Sequence, residues 1–405
     1  VPRFEPFEGL RYDPSRVDLD DVIAPPYDVV DPDERARLAK KSPYNSILIE
    51  LPQQDETAGL DPYHHAAALL DAWERERILI REETPSFYVY RMTFGGEDGE
   101  RRSTTGVIGA LGLEGEGGPI LPHERTMPQP GRDRLDLLRA CQVNLSPIWG
   151  LSLASGLSKL CGKAIGLASD HRSATDEEGT THEIFAVDGE SISAEIAAVV
   201  RPEAIVIADG HHRFETATKY RLERRSLNGN KPGEYDFIMA LIVELTADEL
   251  SIEPIHRLVT GISPDFDLLD ELGRQFPIEE IADDPHELVT AMRARDALGI
   301  ITAAGCFLLD WTSSGSRRMP EDDLDSARAD ALLAHLPPHD LSFQHGALNA
   351  FTAVRSGRAQ AAVLLKPATV SEIADAAHYG TTMPPKTTFF VPKPRTGLVF
   401  RSVEC

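Results

Sequence analysis

A mixed α/β (α+β) protein built in several blocks is the fold class this sequence predicts. Two observations carry that expectation. Apolar runs with strand-like alternation recur between stretches of helical period, and that succession of elements builds mixed sheets covered by helices. The chain also has 405 residues, 41% of them hydrophobic, which is more than one core holds, so two or three domains are expected.

Element by element, Asp31 and Pro32 open a helix over 32–41, the aspartate as cap and the proline at the first helical position. "SILIEL" (46–51) reads as a strand and 62–80 as a longer helix. "SFYVYRMTF" alternates as a strand should. "STTGVIGALGL" is another strand, its glycines marking bends or close packing. A Gly/Glu-rich stretch at 114–118 marks a boundary. Helix 132–142, strands in "SPIWGLSL" and "THEIFAVD", helix 193–200 and the long strand "YDFIMALIVEL" follow. A last block alternates helices (266–276, 285–296, 322–336) with the strands "FLLDW" and "AAVLLK". The expected domains are 1–115, an N-terminal α/β block; 116–260, a core; and 261–405, a C-terminal α/β block folding back on the core.

The net charge of −24, from 41 basic and 65 acidic side chains, argues against non-specific nucleic-acid binding, which needs cations to neutralise phosphates. It also serves solubility. The four cysteines are far apart and form no CxxC pair, so neither a zinc framework nor a redox pair is expected. No apolar run is long enough to span a bilayer. The start "VPRFEPFEGL" has no signal-peptide pattern and no Met, and is read as a trimmed start of a cytoplasmic protein.

The stretch "IVIADGHHRFETATKY" (205–220) turns from an apolar strand into a helix. A helix N-terminus exposes unpaired N–H groups and partial positive charge, and phosphate binds there readily. Gly210 lets an anion approach the backbone. Asp209 can cap the helix or hold a metal or a hydroxyl. His211 and His212 offer donors or proton transfer, and Arg213 can fork onto phosphate oxygens. The plainer reading is a cap, packed histidines and an Arg213 ion pair; four such residues at one junction favour a site.

Two more motifs bear on chemistry. In "LPHERT" (121–126), Glu124 beside His123 suits a general base with an orienting partner, the group that accepts a substrate hydroxyl proton in phosphoryl transfer. In "MPPKTTFFVPK" (383–393), Lys386, Thr387 and Thr388 place a cation and two hydroxyls at the start of a strand, a kit for an anion. Each alone reads equally well as a solvated loop or an ordinary turn.

"ADGHHR" resembles the signature of the ParB/sulfiredoxin superfamily, whose members set this turn against nucleotides or phosphates. Pro-His-Glu, Asp-Gly-His-His-Arg and Pro-Lys-Thr-Thr in succession resemble the archaeal free-serine kinases. The whole chain is more similar still to the family called domain of unknown function 1015, through "IAPPYDVV", "SPYNSILIELP", "HERT…DRLDLL…NLSPIW", "IADGHHRFETA", "PIHR" and "MPPKTTFFVPK". The resemblance implies a ParB/sulfiredoxin-like core over 116–260. It implies a phosphotransferase acting between a nucleotide, ATP or ADP, and free serine, with Mg2+. Glu124 and His123 with Asp209 and His211 would be catalytic, and Asp209 would hold the magnesium. Gly210, His212, Arg213, Lys386, Thr387 and Thr388 would bind phosphate. The N-terminal block has no counterpart in the small kinases. A nucleotide-binding switch of the CTP-clamp kind, or a phosphatase in which Glu124 activates water, fits the same residues. The expected partners are a small-molecule substrate and a nucleotide, with no nucleic acid and no membrane; in the switch reading the N-terminal block is a surface for a protein partner.

Other residues are weighed individually. Tyr27 and Asp28 line a pocket or a rigid proline loop. Glu50 could coordinate magnesium but reads better as a surface acid at a strand end. His64 and His65, adjacent on a helix, share no face and are structural. Arg134 could reach a phosphate, Asn144 is read as a cap or a positioning residue, and His256 and Arg257 read as structural, with pocket lining as the alternative. No GxxxxGK[ST] and no protein-kinase signature occurs. If the motifs form one site, Glu124, Asp209 and Lys386 converge on one cleft.

Overall fold

The computed structural model describes residues 3–55, 59–96, 99–113, 120–122, 131–311 and 324–404. They form a mixed α/β fold of several sheets and helices. The chain divides into two compact units, Val1–Leu250 with Pro392–Cys405, and Ser251–Val391. Among the described residues no helix is long and apolar enough to cross a membrane.

The first unit is built on a nine-stranded sheet in the order Ile120–Pro122, Ile205–Asp209, Ile148–Ser152, Phe237–Glu244, Arg101–Gly112, Phe87–Gly95, Thr181–Val187, Asp170–Thr175, with Phe4–Glu5 joined to Arg101–Gly112. Pairing is parallel between Ile205–Asp209 and Ile120–Pro122 and between Phe237–Glu244 and Ile148–Ser152, and antiparallel elsewhere. All eight residues of Phe237–Glu244 are buried, as expected of a strand with neighbours on both edges and cover on both faces. Helices Leu157–Ile165 and Glu190–Val200 pack Leu157, Leu160, Ile192 and Ile196 against Phe87, Val107, Ile205 and Ile242. The glycines of Arg101–Gly112 mark close packing: a Cβ at Gly109 would stand 2.6 Å from the Phe4 ring. A smaller sheet joins Leu79–Arg81, Gly9–Tyr12, Phe400–Ser402 and Val143–Asn144, so the chain's last residues return to its first.

Two expectations need correction here. "SILIEL" is not a strand: Ile47–Glu50 is a helical turn, and Ile47, Ile49 and Glu50 are all buried. A short apolar run carries no period that separates a strand from a buried helix. Asn45 decides it, since its Oδ1 accepts from the Ile47 N–H while its Nδ2 donates to the Asp21 carbonyl. Glu50 is therefore a buried acid, 2% exposed, and not a surface one. The helix expected over 62–80 stops at Arg75, where Arg77 turns left-handed (φ 57°) and the strand Leu79–Arg81 begins.

In the second unit the sheet runs Ile278–Ile281, Gly305–Leu309, Leu298–Thr302, Ala361–Leu364, Ser251–Thr260, Asp340–His345, with Thr388–Val391 paired to the start of Ser251–Thr260. Alternation sends neighbours to opposite faces. Leu258 and Ile301 meet Leu288, Met292 and Ala350, while Val259 and Ile300 meet Leu272, Ala329 and Leu332.

His256 and Arg257 are both buried and hydrogen-bonded to backbone within the second unit. The Arg257 guanidinium donates to the carbonyls of Ile255 and Lys386, each at 2.8 Å. His256 is 2% exposed and its Nδ1 accepts from the Leu365 N–H at 3.2 Å. Burial, then the charges of Arg257 and His345, push its pKa down to about 3. A histidine held neutral in the fold protonates in the unfolded chain below its ordinary pKa, near 6.5. Stability therefore falls as pH drops from about 6.5 towards 3. We expect His256→Gln to flatten this limb in urea titrations at stepped pH; an unchanged slope would contradict the neutral assignment.

Candidate functional site

The first unit assembles a charged cluster at the strand-to-helix turn. Strand Ile205–Asp209 pairs with Ile148–Ser152, and the register shifts between Ile207 and Asp209. Such a bulge re-aims the residue beyond it. Gly210 then adopts φ 88°, and the helix His211–Leu227 begins at once. Gly210 is required twice over. A side chain is strained at that φ, and a Cβ there would stand 3.0 Å from both Arg213 Nε and Ile148 Cγ2.

Asp209 lies at the centre. One of its oxygens accepts from Lys393 Nζ at 2.5 Å and the other from Arg213 Nη2 at 2.6 Å. The side chains of all three are only 12–13% exposed. Burial works to raise the Asp209 pKa, but Lys393 and then Arg213 outweigh it, with a smaller contribution from His211, and hold the carboxyl well below the usual range. Arg213 also donates to the Pro147 carbonyl. Its Nε, and Nε2 of His212, are buried atoms without a hydrogen-bond partner in the structure. Buried polar atoms are paired as a rule; Arg213 Nε is a donor that a ligand's acceptor would satisfy, and His212 Nε2 is a donor or an acceptor according to the ring's tautomer.

Around this centre lie residues from the N-terminal segment. Asp28 is exposed by its surface area, with the charges of Asp209, Arg213 and Lys393 acting on its carboxyl. Desolvation there, then the charge of Asp209, raise its pKa. Tyr27 borders a cavity of about 60 Å³ with Glu50, Arg134, Ser146 and Arg213, space for a few waters. Burial pushes the Tyr27 hydroxyl up to about 12. Burial likewise raises the Glu50 carboxyl, against the opposing charges of Arg134 and Arg213. Ser146 Oγ donates to Glu50 Oε1 at 3.1 Å. Arg134 donates to the Glu50 carbonyl at 2.7 Å and lies over the Tyr27 ring, 4.4 Å from its centroid. Asn144 positions backbone, its Oδ1 accepting from the Met239 N–H at 3.0 Å.

The structure brings together Asp209, Gly210, His211, His212 and Arg213 by virtue of their adjacency. His123 and Glu124 lie outside the described residues. Lys386, Thr387 and Thr388 belong to the second unit. Lys386 is exposed there at φ 58°. Thr387 and Thr388 are 5% and 8% exposed. The Thr387 hydroxyl donates to the Pro384 carbonyl at 2.7 Å and stands 2.8 Å from the Ser326 hydroxyl.

Sequence reasoning missed Lys393 and Ser146, and read Glu50 as a surface acid. Lys393 had a signal: it ends "MPPKTTFFVPK" between Pro392 and Pro394, and two fixed φ angles present its side chain from a stiff segment. No cluster of three or more His, Cys, Asp or Glu that could hold a metal occurs among the described residues. With Lys393 and Arg213 on both its oxygens, Asp209 does not fit a magnesium ligand in this geometry.

Among solved structures, the chain is similar to a free serine kinase in complex with AMP at 14% identity and TM-score 0.35, covering 67% of this chain and 83% of that one. It is similar to a conserved hypothetical protein from Pyrococcus furiosus at 13% identity and TM-score 0.36, covering 69% and 89%. It is also similar to SbnI, with a C-terminal truncation, from Staphylococcus aureus at 12% identity and TM-score 0.38, covering 71% and 85%. No curated protein matches the chain. A family model matches residues 4–327, four-fifths of the sequence, and the chain belongs to that family, the protein of unknown function DUF1015.

Proposed function

We propose that this protein is a phosphotransferase acting between a nucleotide, ATP or ADP, and a small hydroxyl compound, free L-serine, on a ParB/sulfiredoxin-like core. The observation that supports it best is the Asp209–Lys393–Arg213 cluster at a glycine-opened helix N-terminus. Phosphate is an acceptor-only group, and this junction concentrates donors: helix N–H groups, the guanidinium with its spare Nε, an ammonium, and the orphaned Nε2 of His212 in the tautomer that protonates it. Asp209 holds the two cations in place until a phosphate arrives, so little reorganisation is needed at binding. His211, beside Asp209, orients the serine hydroxyl. Glu124 takes the hydroxyl proton as general base, with His123 orienting it. The oxygen then attacks the terminal phosphorus, the bond from that phosphorus to the nucleotide oxygen breaks, and the nucleotide leaves with one phosphate fewer. Magnesium, if used, would come in on the nucleotide's own phosphates.

The test incubates the purified chain with L-serine, magnesium and ATP or ADP and measures O-phosphoserine. We expect turnover that falls by at least about 10²-fold in Glu124→Gln, the usual scale for a general base. If neither phosphoserine nor the reverse reaction is seen, the serine reading fails. Nucleotide affinity without turnover would identify a switch, and phosphate release from phosphoserine without nucleotide would identify a phosphatase.

A further inference from the structure

The second unit contains a cavity of about 360 Å³ that the reaction proposed above does not use. That volume lies within the range of small-molecule sites. Its walls carry charge of both signs. Asp325, its side chain 4% exposed, receives Arg328 Nη1 at 2.9 Å and the Lys366 N–H at 2.9 Å. Arg328, 3% exposed, stacks its guanidinium 3.4 Å from the centre of the Trp311 ring. The Lys366 ammonium pairs with Asp296 at the rim and lies 3.9 Å from the Asp325 carboxylate. Ser326 and Thr387, both buried, add hydroxyls to the wall.

An ion-pair network that served packing alone would be close-packed, because an empty volume beside buried charges forfeits both contacts and solvation. Here the charges border open space. Among the described lining residues, three acids (Asp296, Asp325, Glu372) stand against two bases (Arg328, Lys366). The N-terminal turns of helices Asp325–Leu333 and Val370–Tyr379 also border the cavity, and each adds roughly half a positive charge. The sum over these described groups is near zero, so among them a net anion or a net cation gains from one set and loses to the other. A ligand carrying both signs, a few ångströms apart, gains from both.

We propose that this cavity binds a small zwitterion of the α-amino acid class, its carboxylate on Lys366 and Arg328 and its ammonium on Asp296 and Asp325. The inference does not rest on the phosphotransferase reading, because any amino acid, with or without a hydroxyl, would serve.

The test is calorimetry on the full chain with each common L-amino acid, alongside propionate, ethylamine and inorganic phosphate as single-charge probes. Trp311 fluorescence serves as the local reporter, with Trp311→Phe to assign it. We expect at least one amino acid without a hydroxyl to bind, to shift the Trp311 signal, and to bind more tightly than any single-charge probe. Lys366→Met should weaken it by about tenfold or more, the loss of one charged hydrogen bond. Asp325 is buried and its loss endangers folding, whereas Lys366 is at the cavity edge and its variant is the decisive one. No amino acid binding, tighter phosphate or propionate binding, or affinity unchanged in Lys366→Met would each overturn the proposal.

Discussion

Asp209→Asn is expected to destabilise the first unit by about 3–5 kcal/mol, the cost of removing one partner from a buried ion pair. The reason is that two cations depend on one carboxylate. Lys393 Nζ and Arg213 Nη2 each bond an Asp209 oxygen, and neither side chain is more than 13% exposed. An amide of the same shape returns one acceptor and no charge. The variant leaves two positive groups facing each other in a poorly hydrated recess. Urea denaturation at pH 7 measures the loss, and one below about 1 kcal/mol, the worth of an exposed pair, would show that the cluster is well hydrated. The pH dependence provides an independent check. Asp209 is held below its unfolded pKa of about 3.9. Its contribution is thus fully present above that value and is lost as pH falls through the lower folded pKa, because the unfolded chain binds the proton first. The variant should lack this part of the acid limb. If the proposed reaction holds, the variant should also lose phosphoryl transfer, since Lys393 and Arg213, the cations proposed to bind phosphate, would no longer be held in place.

Asp176→Ala should cost a similar amount, again about 3–5 kcal/mol, and should act on the site from a distance. Asp176 Oδ2 accepts from Arg395 Nε and from His182 Nε2, each at 2.9 Å, and its side chain is 6% exposed. Tyr90 completes the network, its hydroxyl bonded to His182 Nδ1 at 2.8 Å and accepting from the Arg395 N–H at 3.1 Å. Burial works to raise the Asp176 pKa, but the His182 hydrogen bond and the Arg395 charge outweigh it and hold the carboxyl low. This network clamps the returning segment Pro392–Cys405 onto strands Phe87–Gly95 and Thr181–Val187. Lys393 lies two residues before Arg395, so releasing the clamp frees the lysine as well. The expected signature is a lower unfolding midpoint and, on the proposed reaction, a raised KM for the nucleotide with a smaller change in kcat. A drop in kcat at unchanged KM would show that the clamp does not position Lys393.

Local chemistry was legible without any structure. Asp31-Pro32 announced the helix Pro32–Lys41, and its aspartate does accept from the Asp33 and Glu34 N–H groups. The unbroken apolar run in "YDFIMALIVEL" announced a strand buried on both faces. The strand-glycine-helix turn at 205–220 was readable because all of its parts are neighbours in the chain. Each of these rests on propensity, capping or period, which act within a few residues. What the sequence could not convey depends on which distant residues burial brings together. Glu50 read as a surface acid because nothing beside it shows that Ser146 and Arg134 will enclose it. Lys393 lay in plain view in a quoted motif, yet its partner Asp209 is 184 residues away, and no local rule prefers it over Lys386. The difference is a matter of range. Hydrogen bonds and periodicity are encoded in neighbours, whereas desolvation and charge pairing are properties of an enclosure, and an enclosure exists only once the chain has closed on itself.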